Sequence, residues 1–297
     1  MKSGIVAVIG RANAGKSTLI NVLVGEKVAI VSPKPQTTRD RILGIKNGDD
    51  YQIVFEDTPG LYKAGSLLNE RMQKSVESSA KDVDLILFVI DIHDGVKEEE
   101  KAALKRFVKG DIPLILVLTK TDIMPKENIP LAVKEFEEFD NVDKVISISA
   151  RRGKNVKKLE EEIVKLLPSG DPLYPPDVVS DRSERFMIAE IMREKILLKY
   201  EKEIPHGVAV IINNFELLEN GVYDVNLDIV CEKQNHKAIL IGKQGAALKE
   251  VSSFARKDME KFLGKKVFLT TYVKVKEDWR NNPGRLKEFG YGEEEFR

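Results

Sequence analysis

Two glycine-bearing turns hold the chemistry that can be read most directly from this chain. The first, "GRANAGKS" at residues 10–17, has the spacing G-x-x-x-x-G-K-S and lies between an apolar run and a helix-like run. In such a turn the backbone N–H groups around Gly10, Arg11, Ala12, Asn13, Ala14 and Gly15 can cradle phosphates. Lys16 then reaches the β- and γ-phosphates, and Ser17, followed by Thr18, offers a hydroxyl to Mg²⁺. The second, "IGKQG" at residues 241–245, cannot repeat that role. It has no Ser or Thr directly after its lysine, and its glycines are too close together to wrap a triphosphate.

Three further stretches follow the first turn in an informative order. "VFEDTPG" places Asp57 at the end of an apolar strand, where a carboxylate can hold Mg²⁺ through water. Thr58 and Pro59 lead to Gly60, whose N–H can sense a γ-phosphate. "LILVLTKTD" ends on Thr119, Lys120, Thr121 and Asp122. A carboxylate at Asp122 can accept from the N1–H and 2-amino groups of guanine. Adenine offers neither donor on that edge, so the pocket favours GTP. "ISISAR" ends on Ser149 and Ala150, with the Ala150 N–H placed for guanine O6. One Asp at a strand end is ordinarily a turn residue; four signals at four strand ends argue for a site. Leu61 follows Gly60, and an alkyl side chain cannot orient an attacking water, so hydrolysis is expected to be slow or assisted. No catalytic base is evident.

The elements that must position these residues alternate between strands and helices. Apolar runs at 5–9, 84–92, 112–118 and 144–149 read as strands buried on both faces. "KSTLINVLVG", "EEEKAALKRFVKG" and "NVKKLEEEIVKLL" read as helices. Asn47-Gly48 separates two alternating runs and predicts a β-hairpin. The expected fold is α/β: a mostly parallel sheet with one antiparallel edge over residues 1–167. Residues 168–182, rich in proline and without apolar periodicity, read as a linker. Residues 183–297 form a second, α+β domain: helix 184–203, strands 207–213 and 222–231, helix 234–241, the turn, helix 246–262 and strand 266–276, then a polar tail.

Bulk properties narrow the class. At 297 residues with 42% hydrophobic and 32% charged residues, the chain reads as a soluble globular protein of two domains. Basic and acidic residues balance at 48 each, so electrostatic sites must be local. One is: between Lys233 and Lys276 there are 11 basic residues against three acidic ones, the footprint of phosphate neutralisation. A solvated helix face would also account for some of them. The single cysteine, Cys231, excludes an internal disulfide and reads as a core residue of a strand. The three histidines match no metal-ligand spacing, and no apolar run approaches the ~20 residues of a membrane span. A cytoplasmic protein is expected.

The motifs of the first half resemble the translation-factor-like branch of small GTPases. Asn13, the segment "PQTTRD" and an apolar residue after D-T-P-G resemble its potassium-activated members. That resemblance implies Asn13 as a K⁺ ligand and Thr38, just before Arg39, as the switch residue and second Mg²⁺ ligand. The second half resembles the type II K-homology module, which clamps about four nucleotides of single-stranded nucleic acid. It implies an RNA site at Gly242, Lys243, Gln244 and Gly245, with Lys249 and Arg256 nearby and Ile239 and Ile241 as an apolar floor. The order of "GRANAGKS", "PQTTRD", "DTPGL", "TKTD", "SAR" and "IGKQGAALK" is similar to that of the Era family of bacterial ribosome-assembly GTPases over nearly the whole chain. Departures are Ala12 for proline, Ala14 for valine and Thr119 for asparagine. The resemblance implies a monomeric switch that grips the single-stranded 3′ end of small-subunit ribosomal RNA on the small ribosomal subunit. It also implies RNA-stimulated hydrolysis, movement about the 168–182 hinge and peripheral association with the inner membrane. Two other classes remain: a regulatory GTPase whose second module binds protein, and a GTP sensor that scarcely hydrolyses it.

Overall fold

The computed structural model describes residues 1–61, 65–93, 95–108, 110–136, 139 and 142–291, which divide into two compact units. The first contains β1 (Lys2–Gly10), α1 (Lys16–Val24), β2 (Ile42–Asn47), β3 (Tyr51–Asp57), most of α2 (Leu67–Ser79), β4 (Leu85–Asp91), α3 (Glu98–Phe107), β5 (Leu114–Thr119), α4 (Asn128–Lys134), β6 (Lys144–Ser147) and α5 (Val156–Leu166). Its six strands run in the order β2-β3-β1-β4-β5-β6, all parallel except β2, which pairs antiparallel with β3. The hairpin turn closes by Gly48 N–H donating to the Tyr51 carbonyl at 2.9 Å.

The continuous apolar runs are explained by two cores, one on each sheet face. Val6, Val8, Leu87 and Val89 pack with α1 and α5, whose Leu19, Leu23, Val156, Leu159 and Ile163 recur at helical spacing. Ala7, Ile9, Phe88 and Ile90 pack on the other side with Val76, Leu104 and Ala132. The sequence does not signal α2 or α4. One is largely polar ("LLNERMQKSVESS") and the other carries Pro130, so both depend on docking a short apolar stripe. Parallel pairing has a direct consequence for function. The ends of β1, β3, β4 and β5 emerge on one edge, bringing Gly10, Asp57, Asp91 and Thr119 together.

The proline-rich stretch expected as a free linker is strapped to this unit through residue 181. β2 is an edge strand with open backbone groups, and the stretch fills them. Ile45 N–H donates to the Val179 carbonyl at 2.9 Å, Leu43 N–H to the Asp181 carboxylate at 2.9 Å, and Ser180 Oγ to the Leu43 carbonyl at 2.7 Å. Fully buried Gln52 donates to the Tyr174 carbonyl and accepts from the N–H groups of Leu173 and Tyr174. Tyr174 and Val178 pack on Leu43, Ile45 and Val54.

The second unit is built from α6 (Glu184–Lys199), β7 (Ala209–Leu217), β8 (Tyr223–Cys231), α7 (Gln234–Ile241), α8 (Ala246–Leu263), β9 (Val267–Val275) and α9 (Pro283–Glu288). Ser183 caps α6 by accepting from Phe186 N–H at 3.2 Å. The sheet order is β7-β8-β9, with β7/β8 antiparallel and β8/β9 parallel. Strand β7 starts two residues later than the expected 207 and continues to Leu217 past an irregularity between Ile212 and Asn214. One face packs on Ile188, Ile191 and Ile196 of α6 and on Val251, Ala255 and Met259 of α8. Cys231 is fully buried there, as a core cysteine.

Two short segments before and after the hairpin, Ser32–Thr37 and 65–71, also group with this unit. Arg193, gripped by Glu190 at 2.7 Å, donates to the carbonyls of Gln36 (3.3 Å) and Thr37. Residues 279–291 of the polar tail pack on this unit. Trp279 is fully buried, donates from Nε1 to the Gly207 carbonyl at 2.9 Å, and packs against Phe289 and Tyr291.

Candidate functional site

The first turn is shaped by close approach. A Cβ on Gly10 would lie 2.2 Å from the Val89 carbonyl oxygen, so only glycine lets β1 turn beside β4. Asn13 (φ 63°) and Gly15 (φ 94°) adopt left-handed conformations, and Gly15 begins α1 with no side-chain cap. The first N–H groups of α1, those of Lys16, Ser17 and Thr18 among them, therefore face the turn with the helix dipole behind them. Buried Lys16 spans the turn by donating to the carbonyls of Gly10 and Arg11, both at 3.1 Å. Burial pushes its ammonium down to about 8, against the opposing pull of Asp57. Ala14 packs into the core, whereas Arg11 and Ala12 are partly exposed.

Ser17, Thr38 and Asp57 converge on one point. Ser17 Oγ donates to Asp57 Oδ2 at 2.6 Å and lies 2.9 Å from Thr38 Oγ1, which is 3.3 Å from the same carboxylate oxygen. Asp57 is fully buried, and burial pushes its carboxyl up, opposed by Lys16, Ser17 and Thr38. Its Oδ1 is buried and meets no donor among the described residues. A buried carboxylate with an unmet lone pair beside two hydroxyls is a hard-oxygen set that suits Mg²⁺. Thr58 donates to the Val8 carbonyl at 2.8 Å, holding buried Pro59 and Gly60 against the first turn. A Cβ on Gly60 would meet the Ala12 backbone at 2.7 Å. Leu61 N–H donates to the Gly10 carbonyl at 3.3 Å, and its side chain packs into the sheet core. That side chain is occupied in packing, as its alkyl chemistry implies.

At the base-reading end, Ser149 Oγ donates to Asp122 Oδ1 at 2.7 Å, and this bond holds the exposed Asp122 carboxyl below the usual range. The bond thus favours the ionised carboxylate and fixes its orientation. Buried Thr121 pins this strand end through its N–H to the Ile148 carbonyl at 3.3 Å, and Ala150 follows Ser149 there. Thr119 Oγ1 donates to the Ala14 carbonyl at 2.7 Å, with the Ile90 carbonyl at 3.2 Å as a second acceptor. A hydroxyl in place of an amide still ties the base-reading strand to the phosphate turn. Sequence reasoning missed Asp91, which holds Lys120 Nζ at 2.5 Å and accepts from His93 N–H at 3.0 Å. Its position at the end of "LILFVID" was the available signal.

The second turn is built differently. Gly242 (φ 71°), Gln244 (φ 52°) and Gly245 (φ 78°) are left-handed, and Gly245 starts α8 uncapped. A Cβ on Gly242 would meet Ala247 Cβ at 2.6 Å, but one on Gly245 would meet nothing within 4 Å. Beside Gly245 opens a cleft of about 350 Å³ lined by Leu248, Lys249, Ser252, Ser253 and Arg256 of α8 and by Leu269 and Thr271 of β9. The expected Lys249 and Arg256 are there; Lys243 and Gln244 are exposed on the turn itself. Ile239 and Ile241 lie on α7, just before the turn, outside the α8–β9 lining of this cleft. Ile241 packs into the second core and Ile239 stays half-exposed on α7, while Leu248 and Leu269 supply the apolar wall.

Residues 5–120 match the family model described as 50S ribosome-binding GTPase, and residues 203–280 match the KH domain. GTPase Era of Clostridium kluyveri is 47% identical over 98% of this chain and 99% of its own length. The chain belongs to the Era family of GTPases. Era of Clostridium botulinum is 44% identical over 98% of both chains. Among solved structures, a single-residue variant of Aquifex aeolicus Era bound to GDP·AlF4⁻ is 38% identical with a TM-score of 0.94, covering 98% of this chain and 100% of that one. Era in complex with MgGDPNP and nucleotides 1506–1542 of 16S ribosomal RNA is 39% identical with a TM-score of 0.93, covering 98% and 99%. The Era likeness thus spans both turns. The expected fold, a mostly parallel GTPase sheet with an antiparallel edge followed by a KH-like α+β unit, is that of these Era structures.

Proposed function

We propose that this chain is a GTP-hydrolysing switch that binds the single-stranded 3′ end of small-subunit ribosomal RNA and assists assembly of the small ribosomal subunit. The observation that carries this reading is the pairing, in one Era-family chain, of the buried Ser17–Thr38–Asp57 set with the open cleft beside Gly245. The solved Era complex with a Mg²⁺-bound GTP analogue and 16S ribosomal RNA supports both halves.

In this reading the first turn and Lys16 hold the β- and γ-phosphates, and Asp122, Ser149 and Ala150 select guanine. Ser17 and Thr38 would ligate Mg²⁺ directly and Asp57 through water; the ion would neutralise charge developing on the phosphates. Gly60 N–H registers the γ-phosphate and passes its presence to the segment beyond Leu61. Leu61 contributes no water-orienting group; K⁺ held by Asn13, as the resemblance to potassium-activated GTPases implies, would add to the positive charge that Mg²⁺ and Lys16 supply. The protein is taken to act as a monomer in the cytoplasm, with peripheral attachment to the inner membrane. No helix among the described residues is long and apolar enough to cross a membrane.

The test is GTP turnover in KCl and in NaCl, each with and without an oligonucleotide of the 16S 3′ end. Both potassium and RNA are expected to raise the rate. Equal rates in the two salts would remove the potassium role. An RNA affinity unchanged by combined Gly242→Asp and Gly245→Asp would point to a protein partner instead.

A further inference from the structure

Strand β9 has two sides with different neighbours. Val267, Leu269, Thr271 and Val273 turn toward the helices, and Leu269 and Thr271 line the cleft. The alternate residues Phe268, Thr270, Tyr272 and Lys274 turn to the opposite face. There Phe268 is 64% exposed and Tyr272 53% exposed, although both are large aromatics in regular strand. Lysines flank the pair: Lys265 and Lys266 precede it, Lys274 and Lys276 follow it.

The acidic groups on this face are engaged. Asp224, opposite Phe268, accepts from Asn214 Nδ2 at 3.0 Å. Asp228, opposite Tyr272, is bound by Lys274 at 2.6 Å. Glu216 lies one strand further away, on β7. β9 is an edge strand, so nothing in the sheet separates the cleft on one side from the aromatic row on the other. Exposed aromatic rings flanked by lysines on an edge strand, with Lys274 paired to Asp228, are suited to one class of ligand. Bases stack on the rings and the flanking lysines neutralise phosphates to either side.

We propose that the outer face of β9 is a second single-stranded RNA contact, continuous with the cleft, in which Phe268 and Tyr272 each stack a base. The K-homology cleft holds about four nucleotides; an RNA leaving it over the β9 edge reaches Phe268 and Tyr272 next. The inference rests on the RNA reading of the cleft and extends its footprint.

The experiment measures binding of the full chain to two labelled fragments of the 16S 3′ end, one of about 4 nucleotides and one long enough to continue over the edge of β9. Stacking contributes about 1–3 kcal/mol per base, so combined Phe268→Ala and Tyr272→Ala should weaken the long fragment roughly thirty-fold or more and leave the short one unchanged. Combined Phe268→Trp and Tyr272→Phe keeps both rings and should retain the affinity, which separates stacking from any effect on folding. Equal long-fragment affinity in the alanine variant and the parent overturns the proposal while leaving the cleft intact. Failure of the unaltered chain to bind even the short fragment would instead overturn the RNA reading itself.

Discussion

The two glycine turns differ in what their glycines are for. In the first, a Cβ on Gly10 would strike the Val89 carbonyl and one on Gly60, which packs on the turn, would strike the Ala12 backbone, whereas one on Gly15 would meet nothing closer than the Thr119 hydroxyl at 3.7 Å, and Gly15 is required by its left-handed backbone. In the second, Gly242 is hemmed in by Ala247, but Gly245 faces open space and is required only by its left-handed backbone. The first turn is pressed against neighbouring elements at Gly10 and Gly60, as suits a compact site for a small polyanion bound with a metal. A turn with an open glycine lets a polymer backbone approach from outside.

The sharpest separation comes from the base-reading end of the first site. Asp122→Asn removes two charge-assisted hydrogen bonds of about 1.5–3 kcal/mol each, which predicts a loss of GTP affinity of about 10²- to 10⁴-fold. Xanthosine triphosphate should bind in its place, and RNA affinity should not change. Competition binding checks this, and persistence of the guanine preference would show that the strand end has another role.

Trp279→Ala tests the opposite unit. Removing a fully buried indole that caps Gly207 should cost about 3–5 kcal/mol of stability. Urea unfolding followed by nucleotide release and by RNA release should show the loss mainly in the second signal. Loss of nucleotide binding at the same denaturant concentration would join the two regions into one cooperative unit.

The glycines themselves allow a paired test. Gly10→Ala forces a contact with a backbone carbonyl that cannot move alone, so destabilisation of about 1–3 kcal/mol together with loss of GTP binding is expected. Gly245→Ala meets no atom and bears only left-handed strain of about 1–2 kcal/mol. Its chain should fold, bind GTP normally and bind RNA less tightly. Similar behaviour of both variants would erase the distinction. The smallest effect is expected for Thr119→Asn. Because the Thr119 hydroxyl already binds the Ala14 carbonyl, the amide should change GTP affinity by less than about ten-fold, within a single hydrogen bond's worth.

Much of the first site was legible because its parts are local. A phosphate turn needs glycines, a lysine and a hydroxyl at set spacing, and strand ends betray themselves by where an apolar run stops. The misreadings share the opposite property. Residues 173–181 look like a linker because their partners, Leu43, Ile45 and Gln52, are more than a hundred positions away. The tail looks polar because Trp279, Leu286, Phe289 and Tyr291 are spread among charged residues and become a cluster only when folded. Leu248 and Leu269, which wall the cleft, were not singled out because α8 and β9 are brought together only by folding.

The amino-acid order alone determined which groups are available: a lysine, hydroxyls and carboxylates at the ends of apolar runs, and a basic stretch with two glycines. It could do so because chemistry and backbone conformation at these turns depend on neighbours within a few residues. Tertiary structure decided the rest. It buried Asp57 with one oxygen unmet, set Thr119 on the phosphate turn, placed the apolar wall of the cleft at Leu248 and Leu269, and left Phe268 and Tyr272 uncovered. Each of these depends on which surfaces remain after distant segments have packed, and packing is settled by the whole chain at once.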